Sequence, residues 1–385
     1  MNVGGVEKSL ISLLRAIPAD KYELHLALIY PGGPLDCQIP PSVKIHVIDP
    51  YRDVADFVSS PFKTTLADIA RGRVLKSVSR LWSYALTSLR GSYNYLCKRS
   101  LERYRPDWLE TVYDLAVDYG GPSEMLDWFV TRHVKAKRRA LWIHFDLNLT
   151  FNRRKSAMQT WGEYNRIFCV SENCREVVDR RYPSFAGLTD TFFNIVNSRE
   201  VIENSLLHSP FTPSPEGVVD IVTVARLSFQ KGIDIALRAI PILRSKGIRL
   251  MWHFMGSGDQ AREYEKLAES LDVKDCVRFY GAVENPYPAM RAADVYVQPS
   301  RCEGYGITIA EAKLFGAPIV TSDSVGAAEQ LGNGQKPNSI ILDKLNPRAL
   351  ADAVEKAMTL PRMEATLTPS KDLHKLLELV DGSDD

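Results

Sequence analysis

The chain has 385 residues, of which 45% are hydrophobic and 25% charged, so it is long enough for two globular domains with full cores. A formal net charge of +1 argues against a general nucleic-acid binder. The six cysteines form no C-x-x-C pair, which predicts neither a disulfide framework nor a zinc site and favours a reducing compartment. No run of eighteen apolar residues and no signal peptide is found, so we expect a cytoplasmic chain.

The N-terminus begins with a glycine pair ahead of a helical pattern. Gly4 and Gly5 precede apolar residues at Leu10, Leu13, Leu14 and Ile17. Only three residues stand before Gly4, so the central strand that opens a doubly wound half-domain is missing, and we expect a truncated or misassigned start. A flexible tail is the alternative reading of the glycines. The segments 22–30 and 43–48 alternate in polarity and predict the next strands.

The segment 66–105 is helical in pattern and strongly basic. It contains nine lysines and arginines but only two acidic residues, Asp68 and Glu102, and Trp82 and Tyr84 add aromatic bulk. A basic amphipathic surface of this kind can contact an anionic membrane. A solvated helical hairpin that covers the sheet explains the pattern equally well.

A strand predicted over 138–146 brings His144 to its carboxyl end, two residues before Asp146. A histidine in that place can contact a reacting hydroxyl or a sugar oxygen, although packed strand histidines are also common. The proline- and serine-rich stretch 209–216 breaks all periodicity and predicts the hinge between two domains.

A buried strand over 218–224 leads into a loop with Arg226 and Lys231, five residues apart. Two fixed cations there can converge on one diphosphate, whereas the alternative is a pair of solvated loop cations. After the next strand, Gly256 begins a G-x-G turn that could approach a phosphate, although a simple tight turn is its rival. The strand after that ends near Tyr280.

The stretch 296–331 predicts strand, glycine-rich loop, helix and strand, which is one unit of a parallel sheet. Glu303 lies in the loop, the helix begins near Ile307, and Glu311 follows on that helix. Carboxylates accept hydrogen bonds from sugar hydroxyls, while the backbone N–H groups of Gly304, Tyr305 and Gly306 suit an anion. Alternatively, both glutamates are solvated surface residues.

The segment E-G-Y-G-I-T-I-A-E-A, followed by G-x-P-I-V, resembles the E-x7-E signature of retaining glycosyltransferases of the GT-B fold, in glycosyltransferase family 4. The G-G-x-E loop at Gly4, the W-I-H-x-D segment at His144 and the R-x4-K-G sequence at Arg226 resemble the same family. The resemblance implies an α/β fold with two Rossmann-like domains that face each other across a cleft.

The resemblance also implies roles for individual residues. Arg226 and Lys231 neutralise a leaving diphosphate, Glu311 holds ribose hydroxyls, and Glu303 with the 304–306 backbone holds the sugar. His144 supports the sugar or the acceptor. The other residues expected to bind the donor do so through backbone groups. They are Gly4, Gly5, Gly256, Tyr280 at the nucleobase, and Ile307.

These expectations define domains at 1–205 and 217–362, joined by a linker at 206–216, with a tail at 363–385 that crosses back to the first domain. The expected reaction is hexosyl transfer from a UDP-sugar, or from a GDP-sugar, to a saccharide or lipid-linked acceptor in polysaccharide biosynthesis, without a cofactor or metal. We expect a cytoplasmic location, with peripheral contact between 66–105 and the inner face of the plasma membrane. Two alternatives stay open, namely a non-catalytic or truncated relative that acts as a binding subunit, and a nucleotide-sugar epimerase or hydrolase.

Overall fold

The computed structural model describes residues 4–382 apart from 76, 79–80, 83, 86–103, 105, 146, 148–156, 324–325, 333–335 and 365–371. The chain divides into two compact units. One unit comprises Met1–Val170, Arg175–Phe193 and Lys371–Asp385, and the other comprises Ser171–Cys174 and Asn194–Ser370. Most of the basic segment 66–105, as well as Asp146, lies outside the described residues.

The described residues up to 193 alternate between helices and parallel strands. In chain order they are α1 (Gly5–Ala16), β1 (His25–Leu28), β2 (Lys44–Val47), α2 (Asp49–Ser59), α3 (Pro61–Ala70), β3 (Tyr113–Asp118), α4 (Glu124–Arg132), β4 (Ala136–Ile143), β5 (Arg166–Cys169), α5 (Glu172–Arg181) and β6 (Thr189–Thr191). The strands form two separate sheets, a pair β1-β2 and a four-stranded sheet in the order β3-β4-β5-β6.

Among the described residues, α1 is the first element, and the pair β1-β2 is not hydrogen-bonded to the sheet β3-β4-β5-β6.

The described residues from 194 to 360 form the second alternating series. It contains α6 (Ser198–Asn204), β7 (Val219–Val224), α7 (Ile233–Ser245), β8 (Leu250–Met255), α8 (Ala261–Ser270), β9 (Val277–Phe279), α9 (Tyr287–Ala292), β10 (Val295–Gln298), α10 (Ile307–Ala312), β11 (Ile319–Ser322), α11 (Ala327–Gln330), β12 (Ser339–Leu342) and α12 (Pro347–Ala357). All six strands join one parallel sheet in the order β12-β11-β10-β7-β8-β9.

Burial on both faces explains the composition of this sheet. The four residues of β10 are all buried, as parallel strands covered by helices require. On α7, Ile233, Ala236, Leu237 and Ile240 form a buried stripe at helical spacing. On α12, the Asn346 side chain accepts a hydrogen bond from the Ala349 N–H, and Pro347 occupies the first turn, so the helix has a specified beginning.

The last described helix is α13 (Leu373–Asp381), which belongs to the first unit by its contacts. Lys375 Nζ donates to the Thr191 carbonyl, and the Phe193 N–H donates to Asp372 Oδ2 over 2.9 Å. At its other end, Asp381 accepts from Lys21 Nζ and from the Tyr22 hydroxyl. Within the described residues, no helix has both the length and the apolar content needed to cross a lipid bilayer.

Several predicted elements match the structure closely, while some strands are shorter. The helix at Ile307 and the strand after it, Ile319–Ser322, form as predicted, and Gly316 takes the left-handed conformation (φ 71°) after the helical segment. The predicted strands 22–30 and 43–48 are shorter in the structure, where His25–Leu28 pairs with Lys44–Val47. The strand predicted over 138–146 begins at Ala136 and ends at Ile143.

Candidate functional site

Glu303 occupies the loop that follows β10, residues 299–306, and it is 8% exposed. Its Oε1 accepts hydrogen bonds from Lys231 Nζ at 2.6 Å, Ser300 Oγ at 2.9 Å and Gln298 Nε2 at 3.2 Å. A cation and two neutral donors therefore provide this buried carboxylate oxygen with hydrogen-bond partners. This environment contradicts the alternative of a solvated loop residue.

Glu311 lies on α10 and is 3% exposed, so it is not a surface helix residue either. Its Oε1 accepts a hydrogen bond of 2.9 Å from the Tyr287 hydroxyl. Burial and the Glu311 charge raise the pKa of Tyr287, which keeps that hydroxyl protonated as a donor. Gly306, in the left-handed region at φ 76°, provides the turn from the loop into α10.

Arg226 and Lys231 lie in the loop after β7, residues 225–232, where their exposure differs. Arg226 is exposed, whereas the Lys231 side chain is only 23% exposed because it pairs with Glu303. Gly232 ends this loop at φ 65°, and a Cβ there would lie 1.9 Å from the Pro299 carbonyl oxygen. Glycine is therefore required for the 225–232 and 299–306 loops to approach this closely.

The loop after β8 packs against the 225–232 loop. Gly256 has φ 146°, and a Cβ on it would lie 1.9 Å from the Ala225 carbonyl oxygen. Its N–H donates to the Gly281 carbonyl at 2.7 Å, which links the ends of β8 and β9. Tyr280 follows β9, and its hydroxyl bonds His253 Nδ1 at 2.9 Å, while His253 Nε2 bonds Asp220 Oδ1 at 2.8 Å.

The carboxyl ends of four neighbouring strands thus carry most of the predicted donor-binding residues. Arg226, Lys231, Gly256, Tyr280, Gly304, Tyr305, Gly306, Ile307 and Glu311 all follow β7, β8, β9 or β10 on this one edge of the sheet. Parallel sheets bind ligands at this edge. Lys231 and Glu303 are in direct contact, so the structure couples two residues that the sequence analysis assigned to separate tasks.

Sequence reasoning missed the residues that support this site. Ser300 and Gln298 hold Glu303, and Tyr287 holds Glu311. The sequence Gln298-Pro299-Ser300 gave one available signal, since polar residues directly after a buried strand face its carboxyl edge. No sequence signal identified Tyr287, which contacts Glu311 across 24 positions.

His144 directly follows β4 in the first unit and is 8% exposed. Its Nε2 lies 2.8 Å from the Tyr119 carbonyl oxygen, so Nε2 carries the proton. Burial lowers the pKa of His144 to about 4, which keeps the ring neutral at pH 7. The lone pair of Nδ1 is buried and meets no hydrogen-bond donor among the described residues. It can accept a hydrogen bond from a hydroxyl of a ligand.

Gly4 and Gly5 stand at the start of α1 in the same unit. Gly4 is the residue before the helix, with extended backbone, and a Cβ on it would lie 2.3 Å from Glu7 Oε2. Ser9 Oγ on α1 bonds the Tyr119 hydroxyl at 2.6 Å. Tyr119 therefore links α1 to His144 through its side chain and its carbonyl.

Metal-ligand sets were sought among the acidic, histidine and cysteine side chains. In the described part of the chain, no group of three or more of these residues could hold a metal ion.

Comparisons with known proteins match the second half of the chain to a family model. A model of the family "Glycosyl transferases group 1" matches residues 207–375. The phosphatidylinositol N-acetylglucosaminyltransferase gpi3 subunit of Schizosaccharomyces pombe is 26% identical over 180 residues, which cover 45% of this chain and 37% of that protein. The chain spans less than two thirds of the length of the first curated relatives that it matches.

Solved structures with the same architecture cover nearly the whole chain. Anabaena Alr3699/HepE, in complex with UDP and glucose, aligns with a TM-score of 0.62 at 17% identity, over 98% of this chain and 89% of its own. WaaG, a glycosyltransferase involved in lipopolysaccharide biosynthesis, aligns with a TM-score of 0.60 at 14% identity, over 99% of this chain and 97% of its own. The chain therefore has the GT-B fold of these proteins, and its residues 207–375 match the model of the glycosyl transferases group 1 family.

Proposed function

We propose that this chain is a retaining glycosyltransferase that transfers a hexosyl unit from a nucleotide-diphosphate sugar to a saccharide or lipid-linked acceptor. The donor is a UDP-sugar in preference to a GDP-sugar, and the reaction needs no metal or other cofactor. The observation that carries the proposal is the Lys231–Glu303 pair, 2.6 Å apart at the carboxyl edge of the second sheet and supported by Ser300 and Gln298. HepE, of the same fold, binds UDP and glucose, which supports UDP as the donor nucleotide.

Each residue has a task that follows from its charge and surroundings. Lys231 has three N–H donors, so it can keep its bond to Glu303 while it also binds a phosphate oxygen. Arg226 is exposed and supplies the second positive charge for the diphosphate. Glu311, held by Tyr287, has acceptor capacity for ribose hydroxyls, and Glu303 accepts from hydroxyls of the sugar. His144 Nδ1 accepts from a hydroxyl of the sugar or acceptor.

In the proposed reaction, the acceptor oxygen bonds to the anomeric carbon on the face from which the diphosphate leaves. The bond between that carbon and the diphosphate oxygen breaks, and the acceptor proton passes to the departing oxygen. Configuration at the anomeric carbon is therefore retained, and no protein base is required. The main contribution of the protein is electrostatic, because Arg226 and Lys231 stabilise the charge that develops on the diphosphate.

The test compares nucleotide release and acceptor glycosylation across a panel of UDP- and GDP-sugars. We expect Lys231→Ala to lower kcat by about 10²–10³, as loss of one fixed stabilising group in a transition state does. Glu311→Ala should raise the Kd for UDP about tenfold, since it removes a charged acceptor for ribose hydroxyls. Lys246→Ala is the matched control, because Lys246 pairs with Asp352 and Glu355 on the surface of the same unit.

Three results would contradict the proposal. Nucleotide binding without turnover would favour the binding-subunit alternative. An altered or hydrolysed donor sugar without a glycosylated acceptor would favour an epimerase or hydrolase. A product of inverted anomeric configuration, measured by NMR of the new linkage, would exclude the retaining mechanism.

The second part of the proposal is peripheral contact with the inner face of the plasma membrane. Four apolar side chains near α3 are strongly exposed, namely Phe62, Leu66, Leu75 and Trp82, while Asp68 on the same helix is buried. Exposed Arg71 and Arg73 add positive charge to this surface. Apolar bulk beside basic residues matches an anionic lipid surface.

Vesicle flotation tests this contact. We expect binding to phosphatidylcholine vesicles only when phosphatidylglycerol is included, with weaker binding at higher salt. Leu75→Ser with Trp82→Ser should abolish flotation, whereas Leu206→Ser, at a comparably exposed leucine of the other unit, should not. Equal binding by both variants would contradict a lipid contact at this surface.

A further inference from the structure

Arg301, in the 299–306 loop, contacts Phe229 in the 225–232 loop and Asp234 on α7, and the proposed reaction assigns it no task. Its Nη1 donates to the Phe229 carbonyl at 2.7 Å and to Asp234 Oδ1 at 2.7 Å. Its Nη2 donates to Asp234 Oδ2, also at 2.7 Å. The Arg301 backbone N–H donates to the Gln230 carbonyl at 2.7 Å.

The chemistry of this contact needs the planar fork of arginine. Two parallel N–H groups match the two oxygens of Asp234, and the guanidinium carbon lies 3.9 Å from the centre of the Phe229 ring. A lysine ammonium at this position would keep the charge but could not reproduce the paired geometry and the stacking. Burial opposes the charged form of Asp234, but the hydrogen bonds and charge of Arg301, together with backbone N–H groups at the start of α7, outweigh it and hold the pKa of Asp234 below its ordinary value.

The position of the contact along the chain determines its effect. Phe229 stands two residues before Lys231, and Asp234 stands three residues after it, so Arg301 fixes the backbone on both sides of the lysine. Arg301 itself is two residues before Glu303. The Lys231–Glu303 bond of 2.6 Å is thus accompanied by a second connection, from Arg301 to the residues on both sides of Lys231.

We propose that Arg301 is a positioning residue that holds Lys231 at the diphosphate-binding position by clasping Phe229 and Asp234. The inference rests on the proposed function for the role of Lys231, whereas the clasp itself follows from the contacts. Arg301 touches neither sugar nor phosphate in this assignment. Its effect reaches the donor through the placement of the lysine ammonium, where displacement by about 1 Å is costly.

The experiment compares Arg301→Lys with Arg244→Lys. Arg244 is a matched control because it also donates to one carbonyl, that of Asp272, and to one carboxylate, that of Asp275, within the same unit. Amide hydrogen exchange is measured without nucleotide over residues 225–232. Calorimetric titration then gives the Kd values for UDP and for UMP, which lacks the second phosphate.

We expect Arg301→Lys to speed exchange in the 225–232 loop and to raise the Kd for UDP about tenfold, while the Kd for UMP changes less than twofold. Asp234→Asn should change both quantities in the same direction and serves if Arg301→Lys folds poorly. Arg244→Lys should leave both quantities unchanged.

The two possible failures can be separated. Unchanged exchange in Arg301→Lys would overturn the clasp, and faster exchange with an unchanged Kd for UDP would overturn the positioning role. An equal loss of UDP and UMP affinity would also overturn it, because the effect would then not act on the second phosphate. Failure of the wild-type chain to bind any nucleotide diphosphate would instead overturn the proposed function, since the exchange measurement does not depend on a ligand.

Discussion

His144 has one ring nitrogen with an assigned proton and one with a buried lone pair. The Tyr119 carbonyl fixes the proton on Nε2, and burial lowers the pKa to about 4. A histidine that stays neutral cannot stabilise negative charge as a cation near pH 7. The proposed role of His144 is therefore that of an oriented acceptor, and it depends on a backbone contact that no sequence pattern indicated.

A pH experiment tests the neutral state of His144. Because its pKa in the fold lies below the ordinary value of 6.5, the unfolded chain binds more protons as the pH falls through this range. His144 should therefore cost stability as the pH falls from 6.5 towards 4, by at most about 1.4 kcal/mol per pH unit. The difference in free energy of unfolding between His144→Asn and wild type should shift in favour of the variant over that interval. A constant difference would show that His144 has the same pKa in the folded and unfolded chain, and so would contradict its neutral state in the fold.

Asp118 and Asp127 form a second buried titratable group in the first unit, with 2% and 0% exposure. Burial raises the pKa of both carboxyl groups, and the charge of Asp118 raises that of Asp127 further. An acid with a raised pKa is most stabilising in the fold below its ordinary pKa, and that contribution is lost as the pH rises. The change of stability with pH at this pair therefore has the opposite sign to the change at His144.

Asp127→Asn tests this sign, since asparagine keeps the shape of the side chain and carries no charge. We expect the variant to gain stability relative to wild type as the pH rises from 5 to 8, measured by denaturant unfolding at each pH. Asp114→Asn is the control, because Asp114 lies on β3 near Asp118 but is exposed and paired with Lys137. A variant that loses stability at pH 8 would mean that Asp127 is stabilised as an anion.

At the scale of elements, the sequence predicted the strands of the second unit more accurately than the contacts between its loops. Continuous apolar runs identified β7, β8, β10 and β11, because strands covered on both faces need apolar residues throughout. Loop contacts such as Arg301 with Asp234 join residues 67 positions apart. Such pairings depend on how neighbouring strands place their loops, which local periodicity does not encode.

Two glycines allow the energetic cost of backbone strain to be measured separately from the cost of disturbing loop packing. Gly232 and Gly247 have φ angles of 65° and 80°, but a Cβ on Gly232 meets the Pro299 carbonyl whereas a Cβ on Gly247 meets nothing within 4 Å. Gly247→Ala should cost about 1 kcal/mol of unfolding free energy from backbone strain alone. Gly232→Ala should cost clearly more, because the 225–232 and 299–306 loops must also separate.

Denaturant midpoints of the two alanine variants measure this difference, and UDP titration shows whether loop separation reaches the site. We expect Gly232→Ala to weaken UDP binding and Gly247→Ala to leave it unchanged. Equal unfolding free energies for the two variants would mean that the close approach of Gly232 to Pro299 contributes nothing to stability.

At the scale of the whole molecule, the chain does not fold as two consecutive segments, because α13 belongs to the unit formed by its first half. Leu376 on α13 is 3% exposed, and Arg138 donates to the Leu379 carbonyl at 2.9 Å. The sequence analysis expected the tail at 363–385 to cross back to the first domain. That expectation came from the family resemblance, because an amphipathic pattern identifies an apolar face but not the surface that buries it.

The last prediction concerns the stability that α13 gives to the first unit. Leu376→Ala should cost about 2–4 kcal/mol of unfolding free energy, the usual range for a buried leucine, and removal of 372–385 should cost more. The loss should be local to the first unit, since the Phe193 N–H and the Thr191 carbonyl lose their partners on Asp372 and Lys375. Hydrogen exchange should therefore quicken in β6 and not in β12. Lys356→Ala, at an exposed residue of α12 in the other unit, is the control. Equal acceleration of exchange in β6 and β12 on loss of α13 would contradict the assignment of this helix to the first unit.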